Sequence, residues 1–228
     1  MLPFTTVQFV AVLVEYNLAV WPMQMLACLL GAGMVILLLG RWPGSDRFIG
    51  GGLAAMWAWT GIAYHGLYFS SINRAALAFA TLFLLQGGLL FWAAFRGHLR
   101  FGPSAGPAGW LGWAFLAYAM VLYPLVGIAA GHGYPAMPMF GITPCPVTIF
   151  TFGLLLLTTA PVPRRLLVIP FIWSLIGGSA AFLLDVPEDW LLLFSGIAIP
   201  SLMLRDRARP GAVATARMEK SPVAKRTA

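Results

Sequence analysis

Thr81-Leu82-Phe83-Leu84-Leu85-Gln86-Gly87-Gly88-Leu89-Leu90-Phe91-Trp92-Ala93-Ala94-Phe95-Arg96-Gly97-His98-Leu99-Arg100 is a long apolar run closed by two arginines. The same punctuation recurs at Arg41 and Arg47, at Arg164 and Arg165, and at Arg205, Arg207 and Arg209. Between successive clusters lie pairs of apolar stretches, so the chain reads as helical hairpins whose ends return to one side. Short loops rich in Arg are the ones that are not translocated, which makes the arginine side cytoplasmic. Arg74 is the exception, in a turn on the other side.

Composition sets the class. The 228 residues are 60% hydrophobic and 9% charged, with a mean hydropathy of +0.85, against roughly 25% charged residues in an average soluble domain. A soluble protein would need a polar shell that this chain lacks. At about 20 residues per span there is room for ~6 to 8 helices and no separate soluble domain. The net charge of +7 is scattered over helix ends and the tail, so no nucleic-acid partner is expected; the expected partner is the lipid bilayer. Cys28 and Cys145 make neither a disulfide framework nor a zinc spacing. Met1-Leu2-Pro3-Phe4 has no basic region and no cleavage site follows, so no signal peptide is expected.

The pattern predicts an all-α integral membrane bundle of about seven spans, N-terminus outside and C-terminus inside. A short interfacial helix precedes it. Thr5 and Gln8 form a capping-box pattern, and the run that follows is interrupted by Glu15 and Asn17, so residues 1–21 lie along the interface. The bundle occupies residues 22–204, with spans at about Pro22 to Gly40, Ile49 to Phe69, Ala75 to Phe95, Trp110 to Ala130, Pro144 to Ala160, Leu166 to Leu184 and Trp190 to Leu204. Residues 205–228 read as a basic, disordered cytoplasmic tail. Span 5 reaches only about 25 Å, less than the ~30 Å hydrocarbon core, so it should start below the outer surface. The uncharged, proline-rich connection from Gly131 to Pro146 should pack onto or dip into the bundle.

Polar groups are costly in a bilayer, so their placement is informative. Glu15, Asn17, Tyr64, His65, Tyr68, Asn73, His132, Thr143, Cys145, Thr148 and Asp185 all fall near the outer ends of helices or in outer loops, leaving the inner half almost purely apolar. They define a candidate pocket. His65 reads as a metal ligand or proton carrier, or as an interfacial His bonded to a neighbouring helix. Cys145 sits between prolines at a helix N-terminus, which suits a metal ligand, a redox thiol or a small packing residue. His65, His132 and Cys145, with Met137 and Met139 as soft donors, form a set that admits a transition-metal ion. Glu188 and Asp189 read as caps of the last helix, which leaves Asp185 as the acidic site candidate.

The blocks Ala19-Val20-Trp21-Pro22, Gly61-Ile62-Ala63-Tyr64-His65 and Phe140-Gly141-Ile142-Thr143-Pro144-Cys145-Pro146-Val147-Thr148-Ile149-Phe150-Thr151-Phe152-Gly153 resemble an uncharacterised family of small bacterial multi-pass membrane proteins. The resemblance implies the architecture and no activity. Glu15-Tyr16-Asn17 and His65 are similar to elements of the seven-helix zinc hydrolases related to alkaline ceramidases. The paired histidines of that group are missing from the last span, so a three-His zinc site cannot be assembled. The expectation is a small-solute or metal-ion binding or transport protein of the bacterial inner membrane. A membrane-embedded metal-dependent hydrolase or thiol oxidoreductase, and a structural or assembly protein, stand as alternatives.

Overall fold

The computed structural model describes residues 3–197, and among them the chain is helical with no strand. The element order is α1 (Thr6–Ala19), α2 (Met23–Gly40), α3 (Ser45–Trp59), a π-helical segment (Thr60–Tyr68), a 3-10 turn (Phe69–Ser71), α4 (Ala76–Phe95), α5 (Pro107–Ala117), a second π-helical segment (Tyr118–Leu122), α6 (Tyr123–Ala129), α7 (Pro144–Leu156), α8 (Arg165–Leu184) and a 3-10 turn (Pro187–Asp189). Residues 190–197 are again helical. The expected end of the last span and the basic tail lie outside the described residues.

Among the described residues, four helical stretches are long and apolar enough to cross a membrane: Met23–Gly40, Ala76–Phe95, Pro107–Ala129 and Arg165–Leu184. The seven expected spans are therefore matched in four cases. Of the others, α3 has 15 residues before its backbone passes into the π-helical segment, and the last helix is described only to residue 197. The fifth span is shorter than its expected extent to Ala160. Its helix ends at Leu156 after 13 residues, about 20 Å at 1.5 Å per residue.

That short helix is the centre of the molecule. Every residue of α7 from Pro144 to Leu156 is buried, and α3, α5 and α8 pack around it. Small residues set the closest approaches. A Cβ added to Gly153 would stand 3.0 Å from Gly112 O on α5, and one added to Gly87 on α4 would stand 3.0 Å from Ala54 O on α3. Backbones this near gain dispersion contacts that Leu-sized side chains would prevent. Interior hydrogen bonds tie the helices: Trp57 Nε1 donates to Thr151 Oγ1 (2.9 Å), and Gln86 Nε2 donates to Leu166 O (3.0 Å). The buried Gln86 corrects the expectation that the arginine half is almost purely apolar.

At the arginine end, Phe101 N donates to Asp46 Oδ1 (2.7 Å) and Gly102 N to Leu157 O (2.9 Å). Phe101 and Thr158 make one isolated antiparallel bridge, and the Arg165 guanidinium lies 4.1 Å from the Trp92 ring centroid. At the opposite end the capping box forms as the sequence suggests: Gln8 N donates to Thr5 Oγ1 and Thr5 N to Gln8 Oε1. The connection between α6 and α7 folds into the molecule, burying Met137, Phe140 and Ile142. Asn17 Nδ2 holds it by donating to Pro135 O (2.7 Å) and Met137 O (2.8 Å), and Tyr16 Oη donates to Ile142 O (2.7 Å).

Candidate functional site

A cavity of about 280 Å3 opens at the end away from the arginines. The run Gly177-Gly178-Ser179-Ala180-Ala181 on α8 leaves space that larger side chains would fill, and Gly177, Ser179, Ala180 and Ala181 line the void. From Trp173 to Leu184, both on its wall, α8 rises about 16 Å, so the cavity reaches well below its rim. The facing wall is aromatic: Phe4 and Phe9 at the N-terminal segment, Tyr64 on the first π-helical segment, Phe69 and Phe79 beyond it. Tyr64 and Phe69 stack at 5.6 Å between centroids, and Phe79 meets Trp173 edge-on at 5.4 Å.

Of the residues expected from sequence, Tyr64, Asn73, Thr143 and Cys145 line this cavity. Thr143, in extended conformation before Pro144, starts α7, and its hydroxyl donates to Met139 O (2.8 Å). Pro144 has no N–H to satisfy, so it suits the first turn and places Cys145 at the cavity wall. Asn73 Oδ1 accepts from Ala75 N (3.1 Å) at the entry to α4.

His65 sits one ring layer behind the wall. Its imidazole contacts Phe83 (4.7 Å), Trp173 (5.0 Å) and Phe79 (5.7 Å), and neither ring nitrogen has a hydrogen-bond partner among the described residues. The Trp173 indole N–H lies near the Cys145 sulfur without meeting hydrogen-bond geometry and is likewise unpartnered. Buried polar atoms without partners are rare in folded proteins and call for an explanation at the place where they occur. His65 and Trp173 carry three of them, next to or within one wall.

The remaining expected residues are elsewhere. Glu15 is exposed, and Asn17 is a strut for the α6–α7 connection. Tyr68 is half-buried and meets the Tyr16 ring edge-on at 5.3 Å. The Thr148 hydroxyl donates back to Pro144 O within α7 (2.8 Å). Met137 is buried, and Met139 packs against the apolar cluster that contains Ile142. No group of three or more His, Cys, Asp or Glu among the described residues is placed to hold a metal ion. His65, His132 and Cys145 do not gather into one.

The acidic turn reverses the expected roles. Asp185 is exposed, at φ 56° as the left-handed cap of α8, with its N–H on Ala181 O. The left-handed step turns the chain, Pro187 opens the 3-10 turn, and both Glu188 and Asp189 end up buried. His132 Nδ1 lies 3.3 Å from Glu188 Oε1. The Tyr123 hydroxyl donates to Asp189 Oδ1, and Asp189 faces the cavity. Burial pushes the Asp189 carboxyl up from 3.8 to about 7; the Tyr123 and Cys145 donors pull against that shift and the neighbouring Glu188 adds to it.

Sequence reasoning missed Asp189, Trp173 and the phenylalanines. One signal was available: five consecutive small residues in the outer half of α8 mark a place where helix faces cannot fill the space between them.

No curated protein and no solved structure matches this chain. The three blocks quoted from its sequence all fall within residues 6–213, which match one family described as "Family of unknown function (DUF6064)", and the chain belongs to that family.

Proposed function

We propose that this chain is a multi-pass protein of the bacterial inner membrane that binds a small solute in the cavity between α8 and the N-terminal segment. Its seven spans run N-terminus outside and C-terminus cytoplasmic, so the arginine end faces the cytoplasm and the cavity faces the periplasm. The observation that carries this reading is the cavity itself. It is deep, apolar, furnished with Cys145, Tyr64, Thr143 and Asp189, and bordered by unpartnered donors. Apolar concavities with a few convergent polar groups are where ligands bind. Binding is favoured over transport, because fully buried aromatic rings back the cavity wall: Phe83 packs against Trp173 and Trp57 against Phe83. A transition-metal role has less support, since the soft donors are dispersed.

Sidedness and access can be tested together. In a Cys28→Ser background, a small membrane-impermeant methanethiosulfonate should modify Cys145 when applied to the periplasmic face, and Ala180→Trp should slow the reaction by filling the cavity. Modification from the cytoplasmic face alone would overturn the proposal. So would a Cys145 that stays unreactive in the folded protein and reacts only after denaturation.

A further inference from the structure

Two buried carboxyls stand side by side in the 3-10 turn, and they differ in what stands beside them. Glu188 has the His132 imidazole at 3.3 Å. Asp189 accepts from one uncharged donor, the Tyr123 hydroxyl, and has the uncharged Cys145 thiol close by. Among the described residues, no Lys, Arg or His lines the cavity it faces. A carboxylate held out of water with no counter-charge is costly, and it is relieved either by a proton or by a cation that enters the same space.

The walls indicate which cation fits. Six aromatic side chains, Phe4, Phe9, Tyr64, Phe69, Phe79 and Trp173, line one cavity with this single acid. Aromatic faces carry negative potential and attract cations that have shed their water, with quaternary ammonium groups the best served. A bare divalent cation is a poor match, because it needs six or more oxygen ligands and these walls offer few. An anion would meet Asp189 and find no positive partner. From this geometry, and resting on the binding role proposed above, we infer that the ligand is a hydrophobic organic cation, a tertiary amine or quaternary ammonium. Its charge pairs with Asp189 and its apolar body lies among the rings.

Proton and ligand then compete for one carboxyl. The groups that bear on Asp189 are Glu188 beside it with His132 behind, Tyr118 and Tyr123 from the α5–α6 run, Cys145 from α7 and Tyr64 from the first π-helical segment. Below pH about 7 the proton holds the site, and above it the cation does.

Isothermal titration of the purified full-length protein in detergent tests the inference with benzyltrimethylammonium and with neopentylbenzene, its uncharged carbon isostere. The ammonium should bind more tightly than the isostere. Its affinity should fall about tenfold from pH 8 to pH 6, and Asp189→Asn should weaken it at least tenfold while leaving the isostere unchanged. An isostere that binds as tightly as the ammonium, or an ammonium affinity indifferent to both pH and Asp189→Asn, overturns the cation while the cavity's binding role stands. If neither probe binds and Cys145 is also closed to the external thiol reagent, both proposals fall. Should the variant not fold, the pH series on the wild-type protein decides alone: a flat profile sinks the inference.

Discussion

Two clefts of nearly equal size, each about 280 Å3, lie at opposite ends of the bundle, and each contains one aspartate. At the arginine end, Asp46 shares its cleft with Arg47 and Arg100 and accepts the Phe101 N–H at 2.7 Å. Asp46 is structural: it opens α3, favours the positive end of that helix, and fixes the strand-like segment that follows α4. At the other end, Asp189 faces aromatic rings, and among the described residues no Lys, Arg or His lines that cavity. The same side chain is thus a fastener in one cleft and an uncompensated charge in the other. What separates them is the chemistry of the surrounding wall, since the volumes do not differ.

Neutralising each acid should break this symmetry in opposite directions. Removing the Asp189 charge has the largest expected effect. Its folded carboxyl titrates above its unfolded value, so its contribution to stability is full below pH 3.8 and is lost as pH rises through about 7. At pH 8 the ligand-free Asp189→Asn variant should therefore be more stable than wild type by on the order of 4 kcal/mol, and the difference should vanish near pH 4. Thermal melts in detergent across that range would show it; equal melting temperatures at pH 8 would mean that Asp189 already has a partner.

Asn17→Ala comes next and probes how the cavity end is held shut. Losing two hydrogen bonds to the α6–α7 connection should cost about 2 kcal/mol, at about 1 kcal/mol each. Amide exchange should accelerate over residues 134–138, with no change at the arginine end. Asp46→Ala should destabilise by about 1.5 kcal/mol, the low end for a charge-assisted hydrogen bond that is only part-buried. Exchange should then speed up at Phe101 and Gly102 alone.

Much of the helical framework can be read from local chemistry. Thr5 and Gln8 announce the start of α1, Thr143 and Pro144 the start of α7, and the arginines mark where apolar runs stop. The number of crossing helices is harder. Hydropathy does not distinguish a side chain facing lipid from one facing protein, because lipid tails are as apolar as Leu. Nothing in Pro144–Leu156 reveals that this helix is enclosed on every side, nor that α3 gives way to a π-helical segment carrying Tyr64 and His65. The candidate site divides along the same line. Tyr64, Asn73, Thr143 and Cys145 were identifiable as polar residues at helix ends. Asp189 was not, because the decision between residues 185 and 189 was made by one left-handed backbone step that sends the first acid outward and the later two inward. Trp173 and Phe79 were hidden by being ordinary apolar residues until the fold set them around a void.

The enclosed helix has a mechanical consequence. Its first turn borders one cleft, while the carbonyl of Leu157, just past its last turn, grips Gly102 near the other. A guest that nudged Pro144 and Cys145 would push on a stiff rod sheathed by its neighbours, and the displacement would emerge among the arginines.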